Sequence, residues 1–173
     1  MSGALSVLPC SQCKDTSILF QEYSGQHLCG KHLASSIRKR VAKEIRSQIN
    51  LPKNARHPDG SPFRIFVAIS GGKDSAVLLS MLVDIIGRRR DVEIISGCID
   101  EGIDGYRPPS IVCAQELCDR LGVEFITVSY PELSFKEMDE VANKIPNLIK
   151  ENKQAPRMPC SYCGVFRRQG INH

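Results

Sequence analysis

Residues 70–75 read Ser-Gly-Gly-Lys-Asp-Ser and stand between two apolar runs, one at residues 63–69 and one at residues 76–86. This order predicts a buried strand, a glycine turn and the start of a helix. The first N–H groups of a helix have no intrahelical partners, so the stretch can offer stacked N–H donors, two hydroxyls and a lysine to an anion. The sequence therefore predicts a phosphate-binding loop.

Two common phosphate loops do not fit this stretch. The P-loop pattern requires glycine where this chain has Val67, and Ser or Thr where it has Asp74. The dinucleotide fingerprint G-x-G-x-x-G is absent. The stretch instead closely resembles the SGGxDS loop of the PP-loop ATP pyrophosphatases of the adenine-nucleotide alpha-hydrolase class. That resemblance implies that the loop holds the β- and γ-phosphates of ATP as leaving pyrophosphate while a substrate oxygen attacks the α-phosphate.

The residues after position 60 alternate between strand and helix patterns. Strands are predicted at 63–69, 92–99 and 123–129, and helices at 74–86, 109–121 and 135–150. We expect a doubly wound parallel α/β sheet, which the resemblance makes Rossmann-like, with ligands at the carboxyl ends of its strands. Several side chains are predicted to face the core: Val77, Leu78, Met81, Leu82, Ile85, Cys98, Cys113 and Cys118.

An acidic segment, Asp-Glu-Gly-Ile-Asp-Gly-Tyr-Arg at residues 100–107, follows the second predicted strand. Its three carboxylates could hold Mg²⁺ against phosphates, or could form a polar surface turn around its glycines. The segment resembles one found in tRNA two-thiolation members of the PP-loop class, which favours the functional reading. The ATP-binding residues implied by both resemblances are Ala68, Ser70, Gly71, Gly72, Lys73, Asp74, Ser75, Asp100 and Gly102.

Near the start of the chain, Cys10 and Cys13 are followed after fifteen residues by Cys29 and His32. Two ligand pairs, each with two intervening residues, predict a closed tetrahedral Zn²⁺ site that stabilises a small module. The eight cysteines of the chain therefore argue for metal or catalytic thiols rather than disulfides.

A basic amphipathic helix is predicted at residues 33–50, with apolar residues every four positions. Its polar faces carry five cations that could bind RNA or could simply be solvated, namely Arg38, Lys39, Arg40, Lys43 and Arg46. Residues 51–62 are rich in proline and predict a linker. We therefore expect a zinc module at 1–35, the basic helix and linker at 36–60, and a PP-loop domain at 61–173.

A second cysteine pair, Cys160 and Cys163, lies beyond the last predicted helix. A C-x-x-C pair alone fits a redox dithiol, half a zinc site or two iron–sulfur ligands. The surrounding residues 157–168 resemble the cysteine motif of cytosolic tRNA thiouridylases and the related TtuA and TtcA proteins. In that family two such cysteines and a third, which this chain lacks, bind a [4Fe-4S] cluster that delivers sulfur.

The resemblance covers almost the whole chain and implies an ATP-dependent tRNA sulfurtransferase. The C2 oxygen of an anticodon wobble uridine (U34, with a U54-type position left open) would be adenylated and replaced by sulfur, giving 2-thiouridine through a cluster or a cysteine persulfide. Catalytic roles would fall to Cys160, Cys163, Lys73 and Asp100. The expected cofactors are ATP, Mg²⁺, Zn²⁺ and an incompletely ligated [4Fe-4S] cluster.

The resemblance also implies tRNA, a sulfur donor such as a thiocarboxylated ubiquitin-like carrier, and a homodimer. Neither a membrane span nor a secretion signal is recognisable, so a cytoplasmic protein is expected. Because the family's domain continues past its C-x-x-C pair, the 173-residue chain is expected to be a shortened form, a fragment or a naturally short relative. Two alternatives stay open: an amidating or lysidine-type PP-loop ligase, and a catalytically inactive RNA adaptor that binds zinc and ATP.

Overall fold

The computed structural model describes residues 8–172, so residues 1–7 and His173 of the expected domain ranges lie outside the described part. Two compact units meet in sequence between Lys53 and Asn54. None of the helices in residues 8–172 combines the length and the apolar character that a membrane crossing needs.

The first unit consists of a short hairpin and one long helix. Strands β1 (Leu19–Gln21) and β2 (Gln26–Leu28) pair antiparallel across a single 3-10 turn, and helix α1 runs from Gly30 to Gln48. The sequence pattern predicted the helix, which begins three residues earlier than expected. It did not predict the hairpin, whose strands of three residues are too short to show an alternating pattern.

The second unit contains a three-stranded parallel sheet flanked by helices. Its elements are β3 (Phe63–Ala68), α2 (Lys73–Ile86), β4 (Val92–Asp100), α3 (Arg107–Leu121), β5 (Glu124–Ser129), α4 (Met138–Glu151) and α5 (Pro159–Ile171). The strand order is β3-β4-β5, with Ala68 opposite Gly97 and Asp100 opposite Ser129. The predicted α/β class and strand positions are therefore confirmed. Residues 51–62 contain neither helix nor strand, and from Asn54 onward they belong to the second unit, where the N–H of Ala55 donates to the Asp91 carboxylate.

Helix α5 was not predicted, although Pro159 occupies its first turn, where proline is favoured. Its Gly170 lies so close to the sheet that an added Cβ would come 2.7 Å from Cδ1 of Ile99. Phe166 of the same helix stacks on Phe135 with ring centroids 4.9 Å apart. These contacts bring the C-x-x-C pair to the carboxyl end of the sheet.

Three expected core positions are wrong. Val77 and Leu78 are 55% and 48% exposed, because α2 turns Leu79 and Ile86 inward together with the expected Leu82. Helix α2 is apolar on nearly every side, so its sequence does not identify the buried face. Cys113 is exposed as well, whereas Cys98 and Cys118 are buried as predicted.

Candidate nucleotide and thiol site

The loop at residues 70–75 connects β3 to α2 and is held together by its own hydroxyls. The Ser75 hydroxyl accepts a hydrogen bond from the backbone N–H of Ser70 at 3.2 Å and donates one to the Gly72 carbonyl at 2.9 Å. Gly71 has a φ of +78°, which a residue with a side chain rarely adopts. The N-terminus of α2 therefore lies against a preformed turn, an arrangement suited to phosphate oxygens.

Cavities lie on two sides of this loop. A cavity of about 380 Å³ is lined by Ala68, Ser70 and Ser75 together with sheet residues such as Phe66 and Ile126. A smaller one, of about 180 Å³, is lined by Gly71, Gly72 and Lys73. The Lys73 ammonium lies 3.0 Å from the Asp74 carboxylate, and both side chains project into solvent. The loop thus has an apolar-walled cavity on one side and its charged residues on the other.

The acidic segment does not gather its three carboxylates. Glu101 is buried, and its carboxylate contacts Nε of Arg107 at 2.6 Å and Nη2 of Arg167 at 2.5 Å. Within residues 8–172 the segment forms no cluster of three possible metal ligands. The three carboxylates therefore do not converge on one point, because two arginines hold Glu101 in the interior.

Asp100 and Gly102 lie in a neighbouring cavity of about 430 Å³ rather than in the cavities beside the loop. The Asp100 carboxylate accepts the backbone N–H of Gly102 at 3.0 Å and so closes the turn after β4. Gly102 has a φ of +63°, and an added Cβ would lie 2.6 Å from Cβ of Glu137. The positions expected to bind ATP therefore form two groups, one at the loop and one at the turn after β4.

The thiols of the C-x-x-C pair lie in the first turn and a half of α5. Cys160 is exposed and Cys163 is buried. The Cys163 sulfur lies 3.4 Å from the Tyr130 hydroxyl and 3.5 Å from Nη2 of Arg167. Burial and the neighbouring Cys163 raise the pKa of Tyr130, so its hydroxyl remains a hydrogen-bond donor. Arg167 is the cation nearest to this thiol.

Both cysteines line a third cavity, of about 450 Å³, with Ile103, Met138 and Arg167. Arg167 also lines the 380 Å³ cavity beside the loop. Burial works against the charge of Arg167, but the carboxylate of Glu101 raises its pKa. A permanent cation thus stands between the loop cavity and the thiol cavity. The sequence did not reveal that Glu101 pairs with both Arg107 and Arg167, although Arg107 ends the acidic segment and Arg167 follows the second cysteine.

The N-terminal ligand group is assembled in the first unit. One ligand atom from each of Cys10, Cys13, Cys29 and His32 lies within 4.8 Å of the others. Nδ1 of His32 is 3.4 Å from the Cys10 sulfur and 3.3 Å from the Cys29 sulfur. Although burial opposes it, backbone hydrogen bonds from Cys29 and Gln12 help lower the pKa of Cys10 to about 6. The group could hold a metal ion, and three sulfurs with one imidazole suit Zn²⁺.

The five cations expected to bind RNA are all exposed on α1: Arg38, Lys39, Arg40, Lys43 and Arg46. The hairpin adds an aromatic ring that the helix itself lacks. The guanidinium of Arg40 lies 4.4 Å from the ring centroid of Tyr23, which is 62% exposed. A hydrogen bond with Ser36, together with Arg40, lowers the pKa of Tyr23. Cations and an accessible ring therefore share one surface, as in many single-strand binders.

Comparison with known proteins places these features in one family. The tRNA 2-thiolation protein NcsA of Haloferax volcanii is 38% identical over 161 residues, which are 93% of this chain and 47% of that protein. The cytoplasmic tRNA 2-thiolation protein 1 of Caenorhabditis briggsae is 31% identical over 170 residues, 95% of this chain and 41% of that protein. Over nearly its whole length the chain is similar to tRNA 2-thiolation proteins.

A solved member of the tRNA 2-thiolation family has the same fold. The U34-tRNA thiolase NcsA of Methanococcus maripaludis, solved with its [4Fe-4S] cluster, superposes with a TM-score of 0.70 at 26% identity, covering 97% of this chain and 50% of that one. No family model matches the chain. The chain spans about half of the length of the family members that it matches.

Proposed function

We propose that this chain carries the ATP-binding loop and the thiol pair of an ATP-dependent tRNA sulfurtransferase. The observation that carries the proposal is the place of Arg167, which lines both the cavity beside the loop and the cavity of Cys160 and Cys163. ATP must activate the oxygen on C2 of the base, and sulfur must then be delivered to that same carbon. A loop for ATP and a thiol pair on either side of one arginine meet that requirement.

In the proposed reaction the loop at residues 70–75 binds the β- and γ-phosphates of ATP. The C2 oxygen of a tRNA wobble uridine attacks the α-phosphorus, and the bond to pyrophosphate breaks. A sulfide sulfur then attacks C2, and AMP leaves with the original oxygen, which gives 2-thiouridine. In the persulfide variant the outer sulfur of a cysteine persulfide attacks C2 and AMP leaves, after which the second cysteine thiolate cleaves the S–S bond, releases 2-thiouridine and leaves a disulfide between Cys160 and Cys163. The N-terminus of α2 and Lys73 would stabilise the charge that develops on pyrophosphate. Mg²⁺ would bind the phosphates, with Asp100 as a candidate carboxylate ligand.

The residues at α5 meet the requirements of a [4Fe-4S] cluster only in part. They supply two thiols, and within residues 8–172 no third ligand joins them in a group. When three cysteines bind a [4Fe-4S] cluster, one iron has no cysteine ligand and can bind another group. We therefore assign to Cys160 and Cys163 either two of the ligands or the two thiols of a persulfide relay, in which one carries sulfur and the other releases it.

We also assign contacts with tRNA, a zinc ion, a sulfur donor, a dimeric state and a cellular location to this protein. The exposed cations of α1 would contact tRNA phosphates, and the Cys10–His32 group would bind structural zinc. Sulfur would come from a donor of the thiocarboxylated ubiquitin-like class, and the protein would act as a homodimer. A cytoplasmic location is proposed because relatives such as the Caenorhabditis briggsae protein are named cytoplasmic.

The test separates adenylation from sulfur transfer. The protein is incubated with tRNA, α-labelled ATP and sulfide under anaerobic conditions, and AMP and 2-thiouridine are quantified by chromatography and mass spectrometry. We expect Lys73→Ala to reduce both products by about tenfold or more. Cys163→Ser should retain adenylated tRNA but lose 2-thiouridine. Ser161→Ala, an exposed change between the two cysteines, is the matched control and should retain both products.

Three outcomes would contradict the proposal. Trapping of the adenylated base by ammonia in preference to sulfide would indicate an amidating or lysidine-type ligase. ATP binding without AMP formation would indicate an inactive adaptor. Full thiolation by Cys163→Ser would remove the thiol pair from the reaction. Iron and acid-labile sulfide in the purified protein, measured beside zinc, would distinguish cluster from persulfide chemistry.

A further inference from the structure

A single buried carboxylate connects the two halves of the candidate site. Glu101 follows β4 directly and is 2% exposed. Its Oε2 lies 2.6 Å from Nε of Arg107 in the first turn of α3, and its Oε1 lies 2.5 Å from Nη2 of Arg167 on α5. Two elements that are distant in sequence are therefore held by the same side chain.

Each arginine also contacts one of the two functional groups. Nη1 of Arg107 donates to the backbone carbonyl of Ser70, the first residue of the loop, at 3.3 Å. Nη2 of Arg167 contacts the Cys163 sulfur at 3.5 Å. A continuous series of polar contacts thus runs from the loop through Arg107, Glu101 and Arg167 to the buried thiol.

The backbone around Glu101 leaves this carboxylate little freedom. Its carbonyl accepts the N–H of Met138 at 2.8 Å, which fixes it to the start of α4. The next residue, Gly102, has a left-handed conformation and packs tightly on Glu137. Arg107 is anchored as well, because it donates to the Ile99 carbonyl at 2.9 Å. If one arginine moves, Glu101 and the other arginine must therefore move with it.

The two arginines require the negative charge of Glu101 as their counter-ion. Arg107 is nearly buried, and a buried guanidinium without a counter-ion is strongly unfavourable. A neutral side chain of the same shape would preserve the packing but would release both arginines from a common anchor. The geometry can therefore be tested by removing only the charge.

We propose that Glu101 is a positioning residue that couples the nucleotide loop to the thiol-bearing turn of α5. Nucleotide bound at residues 70–75 fixes the Ser70 carbonyl. The contacts through Arg107, Glu101 and Arg167 then restrict the motion of Cys163. The thiol is thereby held in place when the activated base is present. The inference rests on the proposed function only in that the loop binds ATP, and the coupling is reciprocal.

The experiment measures amide hydrogen exchange at residues 161–164 with and without a non-hydrolysable ATP analogue. In the unmodified chain we expect the analogue to slow exchange there by about fivefold or more. Glu101→Gln and Arg167→Gln should lose this protection, and Arg167→Lys should restore part of it. Because Arg167 also lines the cavity beside the loop, the analogue affinity of each variant is measured first, and exchange is then compared at a concentration that saturates that variant.

The matched control is Glu140→Gln. Glu140 also binds two cations, Lys136 at 2.8 Å and Lys144, but on the exposed surface of α4. This variant should keep both the affinity and the protection. If Glu101→Gln does not fold, the exchange at residues 161–164 in Arg167→Gln alone tests the coupling.

Persistence of the nucleotide-dependent protection in Arg167→Gln would overturn the coupling. So would its absence in the unmodified chain at saturating analogue. Neither measurement involves sulfur transfer, so protection without thiolation would contradict the proposed function alone. Thiolation without protection would contradict the coupling alone.

Discussion

Gly71 of the loop lies directly against the carbonyl oxygen of Ser110 in the second turn of α3. An added Cβ at Gly71 would come 2.1 Å from that oxygen, and the backbone there has a φ of +78°. The loop is therefore fixed both by its own conformation and by the helix that begins after the acidic segment. Its shape therefore depends on α3, an element that is not adjacent to it in sequence.

Gly71→Ala is expected to remove nucleotide binding. The left-handed backbone costs a side-chain residue about 1 kcal/mol, and the collision with Ser110 forces the loop or α3 to move. We expect the affinity for an ATP analogue, measured by titration calorimetry, to fall by about tenfold or more. Unchanged affinity would contradict the role of the loop in holding the nucleotide.

Gly122→Ala provides the control for this prediction. Gly122 has a similar φ of +65°, but an added Cβ there meets nothing within 4 Å. The Gly122→Ala variant should therefore lose a similar free energy of unfolding, because alanine is strained in this left-handed backbone conformation. Its nucleotide affinity should stay unchanged. Equal loss of affinity in both variants would attribute the effect to general destabilisation.

Cys29→Ser is expected to abolish zinc binding at the ligand group proposed for the first unit. Loss of one thiolate from a group of three thiols and one imidazole opens the closed shell that a structural zinc site requires. Zinc content, measured by mass spectrometry of the purified protein, should fall from about one ion per chain toward zero. Far-ultraviolet circular dichroism should show loss of helix, because α1 begins at this ligand group.

Cys113→Ser is the control for the metal measurement, since Cys113 is exposed on α3 outside the group. It should retain the zinc content of the unmodified chain. Full zinc retention in Cys29→Ser would exclude this ligand set.

The sequence predicted the parts of this protein that are local. Strands β3, β4 and β5 are short apolar runs ended by turn residues, and the spacing of Cys10, Cys13, Cys29 and His32 identifies a ligand set without any knowledge of the fold. The loop at residues 70–75 was recognisable because its chemistry lies in consecutive residues.

The parts that the sequence did not reveal depend on contacts between distant residues. The sequence left open whether the acidic segment binds Mg²⁺ or forms a polar turn, and it could not show that the packing of α5 on the sheet brings Arg167 to Glu101. Tyr23 reaches the cations of α1 only through a hairpin too short to be recognised. Nothing in the local pattern around Val77 and Leu78 distinguishes the buried face of a uniformly apolar helix.

Arg40 and Lys43 are predicted to contribute to the salt dependence of tRNA binding. Each phosphate contact that is lost releases about one counterion fewer, so the double variant Arg40→Ala/Lys43→Ala should reduce the slope of log K against log salt by about two. The slope is measured by filter binding between low and moderate salt. Lys153→Ala, an exposed lysine of the second unit, should leave it unchanged. An unaltered slope in the double variant would remove α1 from the RNA-binding surface.

Asp91 is expected to stabilise the second unit in a pH-dependent manner. Its carboxylate pairs with Arg89 at 2.5 Å and accepts the N–H of Ala55 at 2.8 Å, and these partners, Arg89 first, hold the pKa of Asp91 well below its usual range. Because the folded pKa is lower than the unfolded pKa of about 3.9, this stabilisation is present above that value and is lost as the pH falls through the folded pKa. Asp91→Asn should therefore lower the free energy of unfolding in urea by its full amount at pH 7, and by progressively less as the pH falls from about 4 toward about 2. Glu116→Gln, an exposed change on α3, should have little effect at either pH. A difference between Asp91→Asn and the unmodified chain that stays constant from pH 7 down to about pH 2 would show that the charge of Asp91 does not contribute.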